Sequence, residues 1–411
     1  MRALLRKLKY KSIPFYHKLQ VLRLKRKKKI NVVFFAMNHA MWRYQGLYEL
    51  MASHPKFNPV IVITPFANYA KDQQEEDLNN LRSFFDIKNI PYIEPYDNMG
   101  NIVDIKKTIN PDIVFFQQLY HNIAHPLHDA SNFYDKLICY HPYALWLGKE
   151  DWGFNLKGHN FAWKLFYATE IHHAVAKELA RNKGINVNVV GYSNADEFLH
   201  RTHTDVWKQQ ETKKKRIIWA PHFTIDANRC YTAHSEFLWM ADFMLQTAKQ
   251  YADKIQFAFK PHPRLLTELY QHKDWGKEKA DAYYKEWATM PNTQVETGNY
   301  VDLFMTSDAL IHDCGSFCAE YHYSQKPPMF VSKDVNHFRD TFNDFGKQAI
   351  DLHYLAQTPE EITNFIESVV LRGADHRYTE RKAFFQKYLI SENGMNVSEN
   401  MMNNILHTIY D

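Results

Sequence analysis

Cysteine is scarce in this chain, with Cys139, Cys230, Cys314 and Cys318 the only four in 411 residues. They are too few and too scattered for a disulfide framework, which points to a reducing compartment. Cys314 and Cys318 stand four apart, like half of a metal site, but no second pair matches the spacing and no metal is expected. No apolar run reaches the ~18 residues of a membrane-spanning helix, and no signal-peptide core follows the basic start. A cytoplasmic location is therefore expected. Short-period repeats are lacking, and low complexity is confined to the basic start. Acidic residues are absent from positions 1–30, which hold twelve Lys and Arg. A chain of net charge +4 is thus otherwise acidic, and its basic charge is a tail rather than a patch.

What is present reads as ordinary globular usage, 45% hydrophobic and 23% charged, which excludes disorder for most of the chain. The length suits two domains, each with its own core. The 15% aromatic share and 22 histidines fit nucleotide or carbohydrate stacking, or plain burial. In the tail, Leu4, Leu5, Leu8, Ile13, Phe15, Leu19, Val21, Leu22 and Leu24 lie among the cations, with Pro14 expected to interrupt any helix. A basic amphipathic segment suits the anionic inner face of a membrane, at about 1 kcal/mol per well-placed cation. A solvated tail is the plainer alternative. Nothing later in the chain reads as a nucleic-acid module, so no nucleic-acid partner is expected.

Beyond the tail, short apolar runs alternate with segments of helical period, the pattern of α/β layering on parallel sheets. Strands are predicted at 31–36, 60–64, 112–116, 136–140, 172–176 and 187–191, with helices at 41–53 and 72–85. The polar, Lys-rich stretch within 204–215 reads as a linker. A second series follows, with strands at 217–220, 255–259, 309–312 and 329–332 and helices at 235–251, 265–290, 316–324 and 359–371. The expected division is a tail over 1–30, a first domain over 31–203, the linker, a second domain over 216–374 and closing helices over 375–411. In such folds ligands lie at the carboxyl ends of the strands, which directs attention to a cleft faced by the two domains.

Lys260-Pro-His-Pro-Arg264 follows the strand 255–259 directly. The prolines fix the backbone around His262, and three potential cations or donors, Lys260, His262 and Arg264, suit a pyrophosphate. About fifty residues on, Asp313-Cys-Gly-Ser316 joins a strand to a helix. Gly315 is expected to permit the turn, Ser316 to begin the helix beside N–H groups that favour an anion, and Glu320, on the same face, to reach ribose hydroxyls. A capping serine and a surface glutamate are the plain alternative. His39 lies after the first strand, where an imidazole can take a proton from an attacking hydroxyl; capping a helix start is its alternative. His141, in Tyr140-His-Pro-Tyr143, is a second base or acceptor contact, and His222 joins it as a secondary position.

These segments, in this order over roughly residues 31–375, resemble the glycerophosphotransferase family that uses CDP-glycerol to build teichoic-acid-like polymers. The matching landmarks are His39, Tyr140-His141-Pro142, Gly191-Tyr-Ser-Asn194, Trp219-Ala-Pro-His222, Lys260-Pro-His-Pro263 and Asp313-Cys-Gly-Ser316. Gly191–Asn194 lacks the family's Pro-Arg, and Tyr140–Pro142 lacks its Trp and Gly. The resemblance implies a GT-B fold of two Rossmann-like domains, with nucleotide held mainly by the second and neither metal nor cofactor required. It also implies His39 as general base, His262 as stabiliser of charge on the donor phosphates, and Ser316 as a pyrophosphate contact. Implied partners are a CDP-activated glycerol or ribitol donor and a polymer or lipid-linked acceptor, with residues 1–30 on an anionic membrane. The Lys-Pro-His-Pro motif is also similar to GT-B enzymes that use CMP-activated Kdo or sialic acid. A non-catalytic polymer- or membrane-binding member of the family is the third reading.

Overall fold

A computed structural model describes residues 2–226, 234–298, 300–391 and 393–411, with side chains from residue 12 onward. Cys230 and the side chains of Leu4, Leu5 and Leu8 lie outside the described residues. The chain divides into two compact units, residues 1–196 with 390–411, and residues 197–389.

The first unit holds a parallel sheet of seven strands: β1 (Ile30–Ala36), β2 (Phe57–Ile63), β3 (Tyr92–Ile93), β4 (Ile113–Phe116), β5 (Leu137–Tyr140), β6 (Lys164–Tyr167) and β7 (Val187–Val189). Their order is β3-β2-β1-β4-β5-β6-β7. The second unit has six parallel strands: β8 (Lys215–Ala220), β9 (Ile255–Phe259), β10 (Thr293–Val295), β11 (Ala309–His312), β12 (Pro328–Val331) and β13 (Tyr354–Ala356). These run in the order β10-β9-β8-β11-β12-β13. Each is a Rossmann-like sheet whose order reverses beside its first strand, at β1/β4 and at β8/β11, where the crevice for a ligand opens at the carboxyl ends.

Strands such as β1 (Ile-Asn-Val-Val-Phe-Phe-Ala) and β9 (Ile-Gln-Phe-Ala-Phe) are apolar nearly throughout because helices cover both faces. In the first unit Phe34 stacks on Phe115 at 4.6 Å and Phe35 on Phe116 at 5.1 Å across the β1–β4 pair. Trp219 on β8 centres the second core, with ring centroids of Phe237, Phe259 and Trp287 at 5.8, 5.0 and 5.5 Å.

The structure departs from the sequence reading in identifiable places. Residues 172–176 are not a strand but part of the helix Glu170–Leu179, which buries His172 and Ala176 one turn apart; the strand there is β6, eight residues earlier. The segment 265–290 is two helices, Leu265–Gln271 and Gly276–Thr289. Gly276 has φ +71, which breaks the helical run. The helix expected over 41–53 begins at Gln45, after a 3₁₀ turn at His39–Met41. Residues 316–324 form a helix at Phe317–Glu320 and a 3₁₀ turn at Tyr321–Ser324.

Pro14 does not interrupt the tail, because one helix spans Arg2–Lys25. An interior proline costs about 3 kcal/mol, and packing against the first unit opposes that cost. His17 and Leu24 are buried, Tyr16 Oη and Gln20 Nε2 donate to the Asp135 carbonyl at 3.1 and 2.8 Å, and Lys25 Nζ donates to the Tyr410 carbonyl.

The Trp219→Ala substitution, at a fully buried site ringed by aromatics, is expected to destabilise the second unit by about 3–5 kcal/mol. Thermal unfolding followed by circular dichroism and calorimetry checks this as a lowered midpoint.

Candidate active site

Because β9, β8 and β11 are adjacent and parallel, the segments that follow them emerge side by side. His222 follows β8, Lys260 to Arg264 follow β9, and Asp313 to Ser316 follow β11. The His262 backbone N–H donates to the Pro221 carbonyl at 3.0 Å, joining two of these segments. The third is joined by Asp313. Its Oδ1 accepts the His222 N–H at 2.5 Å, and its Oδ2 accepts Ser235 Oγ–H and Glu236 N–H, each at 2.8 Å. Burial lifts this carboxyl to about 6 against the opposing pull of its donors.

Around this anchor the imidazoles of His222 and His262 meet at 4.9 Å, and His234 stacks on His222 at 4.7 Å. Phe223 lies 4.4 Å from His262, and the Arg264 guanidinium lies 4.1 Å from the centroid of the Phe223 ring. Burial, then repulsion from Arg264 and Lys260, lowers His262 from its ordinary 6.5 to about 4; His222 falls to about 2 for similar reasons, with His234 and His262 adding to burial. The Arg264 N–H donates to His262 Nδ1 at 3.1 Å. Neutral His262 therefore carries its proton on Nε2, a donor aimed by the proline-flanked backbone.

The remaining expected contacts are distributed unevenly. Lys260 is buried and its Nζ donates to the Gly298 carbonyl at 3.0 Å, whereas Arg264 is exposed and pairs with Glu268 at 3.0 Å. Ser316 is exposed, while Glu320, four residues on, is 2% exposed, so the two do not share an open face. The Ser316 side chain caps nothing. Gly315 has no left-handed φ and a Cβ there would meet open space, so the turn does not require glycine; the residue leaves room instead.

In the first unit, His39 follows β1 at the β1/β4 switch point. Gln117, just beyond β4, fixes this turn: its Oε1 accepts the N–H groups of Met37 and Asn38 at 2.6 and 3.1 Å, and its Nε2 donates to the Asn38 carbonyl. Asn38 Oδ1 caps the 3₁₀ turn through the Ala40 N–H. His39 is half-buried, and burial lowers its pKa against the opposing charge of Asp77. His39 Nδ1 and Asp77 Oδ2 are both buried without a hydrogen-bond partner. An imidazole held neutral beside a carboxylate is equipped to accept a proton.

His141 differs. It is buried, its Nε2 bonds the Gly191 carbonyl at 3.1 Å and its Nδ1 contacts Met401 Sδ at 3.4 Å, so both ring nitrogens face protein. Asp77, Gln117, Phe223 and His234 escaped the sequence reading. Gln117 alone had a signal, a polar residue directly after an apolar strand.

The family model described as CDP-Glycerol:Poly(glycerophosphate) glycerophosphotransferase matches residues 159–407. No curated protein sequence matches. Among solved structures, the H444N variant of the wall teichoic acid polymerase TagF has 12% identity and a TM-score of 0.59, covering 99% of this chain and 97% of that one. The UDP-GlcNAc 2-epimerase of Neisseria meningitidis bound to UDP-GlcNAc has 13% identity and a TM-score of 0.57, covering 92% and 100%. MnaA of S. aureus with UDP has 14% identity and a TM-score of 0.56, covering 93% and 96%. At these identities the likeness is one of fold, GT-B-like.

Protonating His262 adds positive charge facing a bound anion, so pyrophosphate affinity is expected to rise as pH falls and to level off only below about 4. An unperturbed histidine would level off below its ordinary 6.5. Calorimetric titration of wild type against His262→Gln checks this, since the difference removes the ligand's own titration.

Proposed function

The chain belongs to the CDP-glycerol:poly(glycerophosphate) glycerophosphotransferase family, and on that premise we propose that the His222–His262–Arg264 cluster holds the donor diphosphate while His39 deprotonates the acceptor. The enzyme is a transferase that moves a polyol phosphate from a CDP-activated donor to a cell-surface polymer. The observation that carries the assignment of residues is the convergence of three adjacent strand ends on one group of imidazoles anchored by Asp313.

In this reading the acceptor hydroxyl attacks the phosphorus that bears the polyol. A new P–O bond forms, the P–O bond to the CMP phosphate breaks, CMP leaves with the electron pair, and His39 takes the hydroxyl proton. Neutral His262 donates through Nε2–H to a phosphate oxygen, and Arg264 adds a fixed charge. Positioning and charge neutralisation supply most of the barrier reduction in such transfers. Asp77 acts through His39 as a positioning residue that raises its basicity.

We also propose that the N-terminal helix docks on an anionic bilayer. Phe15, Leu19 and Leu22, at spacings of four and three, are 65, 41 and 51% exposed, while His17 and Leu24 are buried. Twelve cations and no acid in residues 1–30 complement such a surface.

Incubation with CDP-glycerol, CDP-ribitol or CMP-Kdo and a polymer primer is expected to release CMP from a CDP-polyol; release from CMP-Kdo alone overturns the reading. His39→Ala is expected to lower kcat by about 10²–10⁴ with donor affinity retained, whereas His262→Ala weakens both. Asp77→Asn is expected to lower kcat at least about ten-fold and to move the acid limb of the pH–rate profile to lower pH, which a packing defect would not do. The Phe15→Glu/Leu22→Glu double substitution, at exposed positions, is expected to reduce binding to phosphatidylglycerol vesicles at least about ten-fold while leaving turnover on a soluble primer intact. Unchanged vesicle binding overturns the membrane reading.

A further inference from the structure

Behind the Asp313 turn lies a buried cluster that the transfer chemistry does not use. His312 ends β11, Cys318 sits in the helix Phe317–Glu320, and His353 immediately precedes β13. Each is 1% exposed or less, and a ring nitrogen of each histidine and the Cys318 Sγ lie within 4.8 Å of one another.

The tautomers of the two imidazoles are fixed by their partners. His312 Nδ1 faces the Cys314 carbonyl at 3.0 Å, and His353 Nδ1 faces the Ala349 carbonyl at 3.0 Å. A carbonyl only accepts, so each Nδ1 carries the proton and each neutral ring has a bare lone pair on Nε2. Those two lone pairs point at each other across 3.1 Å. Two buried acceptors at that distance repel unless a cation lies between them. A histidine whose other nitrogen donates to a backbone carbonyl is the usual arrangement around a bound metal. Two nitrogens about 2.0–2.1 Å from a tetrahedral zinc stand about 3.4 Å apart, close to the separation here.

We propose that His312, Cys318 and His353 form a metal site of the second unit, with two imidazole nitrogens and one thiolate suited to zinc. Binding displaces the Cys318 thiol proton to solvent and leaves the metal with three protein ligands. The ion staples the end of β11, the helix that follows it and the entry to β13, and so holds the Asp313 turn from behind. The role is structural, and it depends on no step of the transfer reading.

The experiment uses the full chain expressed with zinc, dialysed into metal-free buffer and analysed by mass spectrometry for metals, then exchanged into cobalt and examined by absorption. About one zinc per chain is expected, with a thiolate-to-cobalt charge-transfer band. Cys318→Ser is expected to abolish that band, and Cys318→Ser and His353→Gln each to lower metal affinity at least about ten-fold. Stripping wild type with a chelator is expected to lower its thermal midpoint, and zinc to restore it. Metal-free wild type that takes up no zinc, a cobalt form without the band, or a Cys318→Ser variant that keeps it overturns the proposal. Should either variant fail to fold, the wild-type stoichiometry and cobalt spectrum decide alone.

Discussion

A single buried carboxylate organises the second unit of this enzyme. Asp313 receives hydrogen bonds from the His222 N–H, the Ser235 hydroxyl and the Glu236 N–H, so segments far apart in sequence share one acceptor. Each bond to such a group contributes about 1.5–3 kcal/mol, and loss of the carboxylate leaves three partly buried donors without this acceptor. Parallel pairing of β9, β8 and β11 brings the three strand ends to one edge; Asp313 sets where the loops go after they leave it. The positions of His222 and His234 follow from that anchor.

The two histidines assigned to chemistry use burial in different ways. His39 is kept deprotonated by its surroundings while Asp77 restores part of its basicity, a balance suited to receiving a proton near neutrality. His262 is held neutral too, but the Arg264 N–H occupies its Nδ1, leaving it a directional donor rather than a cation. In both cases a rigid strand end and a local backbone restraint fix the ring, Gln117 behind one and two prolines around the other.

Much of this was legible in the sequence because parallel strands buried on both faces write themselves as continuous apolar runs. β1, β8, β9 and β11 were visible for that reason, and with them the residues at their carboxyl ends. Short edge strands were not: β3 is Tyr92–Ile93 and β10 is Thr293–Val295, too brief to leave a period. The run His172–Ala176 misled because a short stretch ending in Ala-Val-Ala fits a helix face as well as a strand. Pro14 misled because local propensity was weighed without the packing that His17 and Leu24 supply. Asp77 and His234 were invisible because their significance lies in what folds against them, and the facing lone pairs of His312 and His353 are a property of tautomers that no spacing encodes.

The last helix, Val397–Tyr410, belongs to the first unit, where it packs on the helix Gln45–Ser53; Asn396 caps it, and the Asp196 carboxylate accepts the Val397 and Ser398 N–H groups. The second unit is consequently an insertion within the first. On the ribosome, residues 197–389 are all in hand before that helix is made, so the half that begins earlier is completed later. Its early sheet must wait, with the side of Gln45–Ser53 that meets the last helix uncovered, through the synthesis of some two hundred further residues.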